Sequence, residues 1–519
     1  MIFSRHLTGP GTPPSPEAAS PREVRERFPD LLRDESNLSG GSAGKAFLPG
    51  SGDDVARIVS EAAGRGATLS IGGARTGISG GAVPGGDSWV LSLQRLRRIH
   101  GLVAGPPGEA PGLRVEAGVS LDEVRSWLAQ VEGGRWIYPV DPTEWSASVG
   151  GTVATNAAGG RSYHYGATSA WVRALRVVLP DGTLVELRRG DVTASDDAVS
   201  WDALAGGGLL GLPRVKRPRV RCVAGYDIAP GGDLVDAFVG SEGTLGVVVE
   251  AELALAPAPK FIVGLFCFVH AEASVPDLVP AIRELEGFSV LAIEYLDPAS
   301  LDLLREERRA GRGGEIPVFP DHAGAAFFLE LAFEDEAEVE AGFECLERVL
   351  SGHGGSLDDI WAGFEPADRM RMRHLRHAVP EAVNARVARL RRSVPELHKV
   401  GTDLAVPDEA AAQMGQVYAA ARKEAGMPSV LFGHAAENHL HLNFLPRTVD
   451  ELARARALHL GLAREAVRLG GSVTAEHGIG RLKLALLPIQ FGVKGVEELR
   501  RFRAGFDPAG TLNPGVHLP

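Results

Sequence analysis

The stretch SIGGARTGISGGAVP, residues 70–84, decides how the rest of the chain is read. Its glycines let successive backbone amides turn toward an anion with no side chain in the way, which suits a pyrophosphate. Thr76 and Ser79 add hydroxyl donors. Alone the segment would be an ordinary glycine-rich turn, but VGGTVATNAAGG (149–160) and GSEGTLG (240–246) supply two further small-residue loops. Three such loops can line an elongated nucleotide. The GxGxxG spacing at Gly206-Gly208-Gly211 runs into Leu-Pro and basic residues instead of a helix. It reads as a mobile loop and not as a nicotinamide site.

Two stretches nearer the C-terminus carry the chemistry: FGHAAENHLHLN (432–443) and TAEHGIG (474–480). If the end of the first is a strand, its period of two puts His439, His441 and Asn443 on one face and Leu440, Leu442 and Phe444 on the other. Any one histidine reads as a satisfied core or surface side chain. Three within eight positions, followed by Glu476-His477 in a glycine-rich turn, are hard to assign to packing. Two imidazoles and a carboxylate suffice to hold a divalent metal with one position left open, and a neighbouring histidine is then free to move protons. The spacing matches neither the HExxH peptidase helix nor a paired-cysteine zinc site.

Size and composition bound the alternatives. At 519 residues the chain should divide into two or three domains. A net charge of -12 argues against a nucleic-acid surface; the basic runs at 216–219 and 386–392 read as solvated faces, the second also suited to an anionic substrate or partner. Only Cys222, Cys267 and Cys345 are present, too few and too scattered for a disulfide scaffold or a built-in iron-sulfur cluster. The N-terminus lacks the apolar run of a signal peptide, and no stretch of about 18 apolar residues occurs. A cytoplasmic enzyme is expected, with attachment at a membrane periphery left open.

Along the chain, residues 1–44 read as an arm with a helix from Pro21 to Phe28. Helices are expected over Asp53–Ala63, from a Ser120 cap to Gln130, and over 449–469. Strands are expected at VLSL, LRVEAG, LRVVLP and TLVEL, the last two joined at Asp181-Gly182. Beyond Pro257, alternating strands and helices suit a sheet with helices on one face.

SIGGARTGISGGAVP, YPVDPTEWSASVGGTVATNAAGG, GSEGTLGVVVEAEL, FGHAAENHLHLN, TAEHGIG and FDPAGTLNPG, in this order, resemble the FAD-dependent 2-hydroxy-acid dehydrogenases of the vanillyl-alcohol-oxidase superfamily. That family includes D-lactate dehydrogenases, D-2-hydroxyglutarate dehydrogenases and the flavin subunit of glycolate oxidase. The resemblance implies an α+β fold. A two-subdomain, PCMH-type FAD-binding domain would span 45–258 and an α+β cap or substrate domain with an antiparallel sheet 259–448. A helical segment, 449–519, would return to the flavin. It also implies oxidation of a small anionic D-2-hydroxy acid by hydride transfer to flavin N5. Electrons would pass to a separate acceptor: a quinone, cytochrome, flavoprotein or iron-sulfur subunit. A homodimer stays open.

Carried over residue by residue, Gly73, Ala74, Arg75, Thr76, Gly77, Ser79 and Gly80 would hold the pyrophosphate. Pro139, Asp141, Pro142, Thr143, Ser148, Val149, Gly150, Gly151, Ala154, Thr155, Asn156, Glu242, Gly246, Val247 and Val248 would line the adenosine and the ring, with Asn513 returning beside it. Some relatives attach the flavin through a histidine in the first glycine loop; Ala74, Arg75 and Thr76 offer none, so the FAD should be non-covalent. His434, His441 and Glu476 resemble metal ligands, for zinc or else manganese or iron, and His477 the base. Asn443 would orient substrate, with Arg376 and Lys399 as the carboxylate-binding pair. Where relatives have Gly-Asp-Gly-Asn, this chain has Ala436-Glu437-Asn438-His439. Asn438 tolerates the left-handed backbone that glycine provided, and His439 becomes a candidate fourth ligand. The Lys399–Asp403 spacing departs from the family pattern. A metal hydrolase could use the same histidines and glutamate, and a non-redox, ether-lipid-synthase-like relative or an accessory subunit could keep the flavin; both remain competing readings.

Overall fold

The computed structural model describes residues 14–200, 208–270, 275–312 and 316–519. Gly206, in the GxGxxG spacing, lies outside them, while Leu209–Gly211 pairs with Ala198–Ser200 as a short hairpin. Helix and strand both contribute, as an α+β reading requires, and the strands form separate sheets.

A parallel three-stranded sheet, in the order Lys45–Phe47, Trp89–Ser92, Leu69–Gly72, delivers the first glycine loop at its edge. The N-terminal arm packs on it through Val24 and Leu31 beside Ala46 and Val90. An antiparallel five-stranded sheet follows: Ile99–Val103, Gly112–Glu116, Val247–Ala254, Val172–Val178, Leu184–Arg188. Its period of two is plain in the central strand. Ala251 and Leu253 enter the core, while Glu250 and Glu252 pair across the other face with Arg176 and Arg188. The helix Leu121–Gln130 starts in a capping box, the Ser120 hydroxyl accepting the Glu123 amide and Glu123 accepting the Ser120 amide in return.

The third sheet is antiparallel and eight-stranded. It runs Gly355–Gly363, Phe261–Val269, Ala325–Phe333, Ser289–Leu296, Ser429–His434, His439–Phe444, with Val400–Gly401 and Leu404–Ala405 both on the last strand. The strand Ala325–Phe333 is buried along its whole length. Helices Pro366–Arg391, Ala411–Ala425 and Val449–Arg468 accompany it. Among the described residues, no helix is long and apolar enough to cross a membrane.

Candidate active site

Strand Ser429–His434 and strand His439–Phe444 form a hairpin in which His434 faces His439 across the ladder. The bend is made by Asn438, at φ 49° and ψ 35°, the left-handed conformation its position in the motif predicts. Gly433, at φ 134°, is equally constrained: a Cβ there would lie 2.9 Å from Cδ2 of His441. The hairpin sets the rings of His439 and His441 4.6 Å apart. Both faces of the strand are buried, so the polar face is an internal surface and not a solvent one.

The structure brings together His434, His441, Glu476 and His477. Nε2 of His434 is 3.2 Å from Glu476 Oε2, and Nε2 of His441 is 3.1 Å from Oε1. Each outer nitrogen has an acceptor: Nδ1 of His434 donates to Glu294 at 2.8 Å and Nδ1 of His441 to the Thr402 carbonyl at 3.0 Å. Acceptor-only partners on Nδ1 leave Nε2 to face Glu476, the arrangement that metal-binding histidines use. Burial opposes charge on Glu294, yet His434 and Arg376 hold its carboxyl at about 2. Burial likewise disfavours a charged His434, but Glu294 and Glu476 raise it to about 10. The space between the two buried carboxylates thus demands positive charge.

His439 lies within reach of the same point as His434, His441 and Glu476, and its ring nitrogens also have protein partners. Its Nδ1 accepts from Arg221 at 3.2 Å, so its Nε2–H donates to Asp403 at 2.9 Å, and both ring nitrogens are engaged. Burial lowers His439 to about 3, keeping it neutral. Asp403 is the hub on this side: it also accepts from Lys483 Nζ at 2.7 Å, from the Thr474 hydroxyl and from the backbone N–H of His477 at 3.1 Å. Burial would raise its carboxyl, but His477, Lys483 and the His439 hydrogen bond hold it well below the usual range. His477 lies between Asp403 (Nδ1 to Oδ2, 3.5 Å) and Glu476 (Nε2 to Oε1, 3.3 Å). Burial depresses it to about 4 against both carboxylates, so it is neutral at pH 7. Its side chain keeps 30% exposure, more than either His434 or His441.

The three small-residue loops meet beside this cluster. The Ala74 amide donates to Ser148 Oγ at 3.3 Å, and the Gly240 and Glu242 amides donate to the carbonyls of Val153 and Ala154 at 2.9 and 2.7 Å. Ser148 caps the short helix Val149–Thr155 (containing Gly150, Gly151 and Ala154), and Asn156 ends it at φ 48°. Gly246 leads into Val247 and Val248 at the head of the central strand. The Ser79 hydroxyl donates to the His477 carbonyl at 2.6 Å, tying the first glycine loop to the segment that carries the histidine. Asn513 bridges the loops, accepting the Ile71 amide at 2.7 Å and donating to the Glu242 carbonyl at 2.8 Å. The Glu242 carboxylate is consumed by the amides of Ile479 and Gly480 and by His517 Nδ1. Its side chain is therefore a strut between loops. Arg75, at φ 62°, folds its buried guanidinium back onto the Ala82 carbonyl.

Arg376 lies on helix Pro366–Arg391, its Nη1 3.5 Å from Glu294, close enough to Gly160 that a Cβ there would fall 2.2 Å from that nitrogen. One turn earlier, Arg373 meets Asp141 at 2.9 Å and Glu330 at 3.3 Å, and Arg161 meets Glu330 at 2.6 Å. Asp141, beside Pro139, Pro142 and Thr143, thus has its carboxylate in an interlocking ion-pair network. Lys399 is half-buried just before Val400–Gly401, whose Gly401 faces Asn443; burial lowers its ammonium, and among the described residues it has no ion-pair partner. Asn443 is buried, its Nδ2 donating to the His441 carbonyl at 3.2 Å. Glu294, Glu330, Arg161 and Arg221 were not singled out in the sequence, and Asp403 entered only as the end of the Lys399–Asp403 spacing. A lone acid in an apolar strand, as in SVLAIEYL and AAFFLELAF, is the signal that marks the two glutamates.

Comparisons with known proteins agree with this assembly. Residues 45–188 match a family described as FAD binding domain, and residues 258–516 match FAD linked oxidases, C-terminal domain. The chain is 30% identical over 451 residues to a probable mitochondrial D-lactate dehydrogenase of Danio rerio, covering 86% of this chain and 78% of that protein. It is 29% identical over 474 residues to D-2-hydroxyglutarate dehydrogenase of Xanthomonas citri pv. viticola, covering 90% and 88%. Against glycolate oxidase subunit GlcD of Bacillus subtilis it is 27% identical over 477 residues, covering 90% and 87%. A solved structure of alkyldihydroxyacetonephosphate synthase shares the fold, with a TM-score of 0.57 at 16% identity over 95% of this chain and 80% of that one. The chain belongs to the FAD-linked oxidases, in the branch of FAD-dependent 2-hydroxy-acid dehydrogenases and oxidases.

Proposed function

We propose that this protein oxidises a small D-2-hydroxy acid, such as D-lactate, D-2-hydroxyglutarate or glycolate, to the 2-oxo acid on non-covalent FAD. His434, His441 and Glu476 would hold a divalent metal, zinc before manganese or iron. The donor set fits: ligand atoms about 2.0–2.2 Å from a tetrahedral ion stand roughly 3.3–3.6 Å apart, and the two Nε2-to-carboxylate distances, 3.2 and 3.1 Å, need open only slightly. Glu294 and the Thr402 carbonyl orient the two rings. When bound, the metal lowers the pKa of a hydroxyl and the flavin accepts a hydride.

This chain's residues then have separable tasks. His477, neutral and the more exposed ring, takes the hydroxyl proton on Nε2, while Asp403 beside Nδ1 holds the ring and stabilises the imidazolium. Arg376 clamps the substrate carboxylate, drawing on a guanidinium only loosely paired with Glu294. Lys399, which has no ion-pair partner among the described residues, adds positive charge, and Asn443 orients substrate from the strand that carries His441. Substrate and an external acceptor, whether quinone, cytochrome, flavoprotein or iron-sulfur subunit, complete the cycle.

The observation that carries this reading is the convergence of both Nε2 atoms on Glu476 beside a neutral His477 whose segment is tied to the first glycine loop. The test is anaerobic flavin bleaching with D- and L-2-hydroxy acids, with and without chelator. D-acids should bleach the flavin, His477→Ala should keep yellow colour but lose turnover by about 10²–10⁴-fold, and His441→Ala should lose metal and activity together. Full activity in metal-free His441→Ala protein would overturn the metal's role.

A further inference from the structure

A second cluster of metal-ligating side chains shares no residue with the site above. His270 directly follows the strand Phe261–Val269, His322 lies in the turn before Ala325–Phe333, and Asp359 is on Gly355–Gly363, the strand at the sheet edge. These strands are neighbours, with Val269 opposite both Ala325 and Gly355. Two backbone features draw the three together. The Gly324 amide donates to the Val269 carbonyl at 2.8 Å, and a Cβ at 324 would fall 2.4 Å from the His270 carbonyl oxygen, so glycine lets the turn lie against His270. On the other side, the pairing with Gly355–Gly363 slips between Cys267 and Val269, an irregularity of the kind that re-aims side chains at strand ends.

The two imidazoles stack with centroids 4.3 Å apart and planes inclined by 24°. Their Nε2 atoms approach different oxygens of Asp359, at 3.7 Å from His270 and 3.0 Å from His322. Those separations bracket the roughly 3.3–3.6 Å between donors around a tetrahedral ion with bonds of about 2.0–2.2 Å. One ligand atom from each residue fits within 4.8 Å of the others. The imidazole side chains are 53% and 41% exposed, so apolar packing does not account for the stack, and water can reach a fourth position.

We propose that His270, His322 and Asp359 form a second divalent-metal site. Two imidazoles and one carboxylate select a borderline cation, Zn²⁺, Ni²⁺ or Cu²⁺, over Mg²⁺ or Ca²⁺. The ion clips the turn before Ala325 to the sheet edge and takes part in no redox step.

The test is calorimetric titration of the flavin-loaded, chelator-treated protein with Zn²⁺ alone, comparing wild type with His322→Ala and Asp359→Asn. Each variant should take up one equivalent less than wild type and lose part of the zinc-dependent rise in Tm, with flavin reduction by substrate unchanged. His441→Ala should lose a different equivalent, and combining it with His322→Ala should remove both. His322 sits in an exposed turn, so its substitution reports on the ion and not on folding. Equal zinc stoichiometry in wild type and His322→Ala overturns the proposal.

Discussion

Asp403 Oδ2 lies 3.5 Å from Nδ1 of His477 and also accepts that residue's backbone N–H at 3.1 Å. One carboxylate therefore fixes both the ring and the chain that carries it. Asp403→Asn keeps the size but loses the charge that would face an imidazolium. Turnover should fall by about 10- to 100-fold, the usual cost of removing such a partner, with flavin absorbance and metal content retained. Steady-state kinetics beside metal analysis checks this; an unchanged kcat would remove Asp403 from the mechanism.

Glu294 accepts from His434 Nδ1 and stands 3.5 Å from Arg376. Glu294→Gln weakens the acceptor that orients His434, and metal affinity should drop by roughly 10- to 100-fold. The freed Arg376 should leave the KM for hydroxy acid less affected than the metal Kd. Competition with a chromogenic chelator measures the second quantity directly.

Asn438 occupies the left-handed region, and its Nδ2 donates to Asp408 at 2.6 Å. A β-branched residue cannot adopt this φ cheaply: Asn438→Val should cost about 1–2 kcal/mol, read as a lower denaturant midpoint. Asn438→Gly should stay within about 0.5 kcal/mol and retain activity.

His459, on helix Val449–Arg468, is lowered by burial from 6.5 to about 4, and its Nε2 is buried with no hydrogen-bond partner among the described residues. Between those values the unfolded chain binds a proton that the folded one does not, so stability must rise with pH through that window and fall on acidification. The contribution is at most about 1.4 kcal/mol per pH unit. His459→Gln should flatten the dependence of Tm on pH between pH 6.5 and 4.5, and an identical slope in the variant would assign it to other groups.

How much of this was legible beforehand depends on the range of the interaction. The bend at Asn438, the capping box at Ser120 and the hairpin of histidines are local, so spacing and residue type suffice to read them. Glu294, Glu330 and Asp403 gain their meaning from partners that only tertiary folding supplies: Glu294 and His434 are separated by 140 positions, and Arg161 and Glu330 by 169. The helix Pro366–Arg391 carries Pro380 inside it and turns Arg373 and Arg376 toward buried carboxylates, so it lacks the clean apolar stripe by which helices are recognised. His439 combines both ranges. Its spacing invited a ligand reading, and Arg221, which sets its acceptor nitrogen, belongs to a segment 218 positions away.

The hydrogen bond from the Ser79 hydroxyl to the His477 carbonyl couples the proposed flavin site to the proposed metal site. Any molecule that steadies residues 72–82 also steadies the backbone beside Glu476, and linkage requires each to sharpen the other's retention by the same factor. Depleting the ion should therefore hasten loss of yellow colour on dialysis, and stripping the dinucleotide should loosen the ion equally.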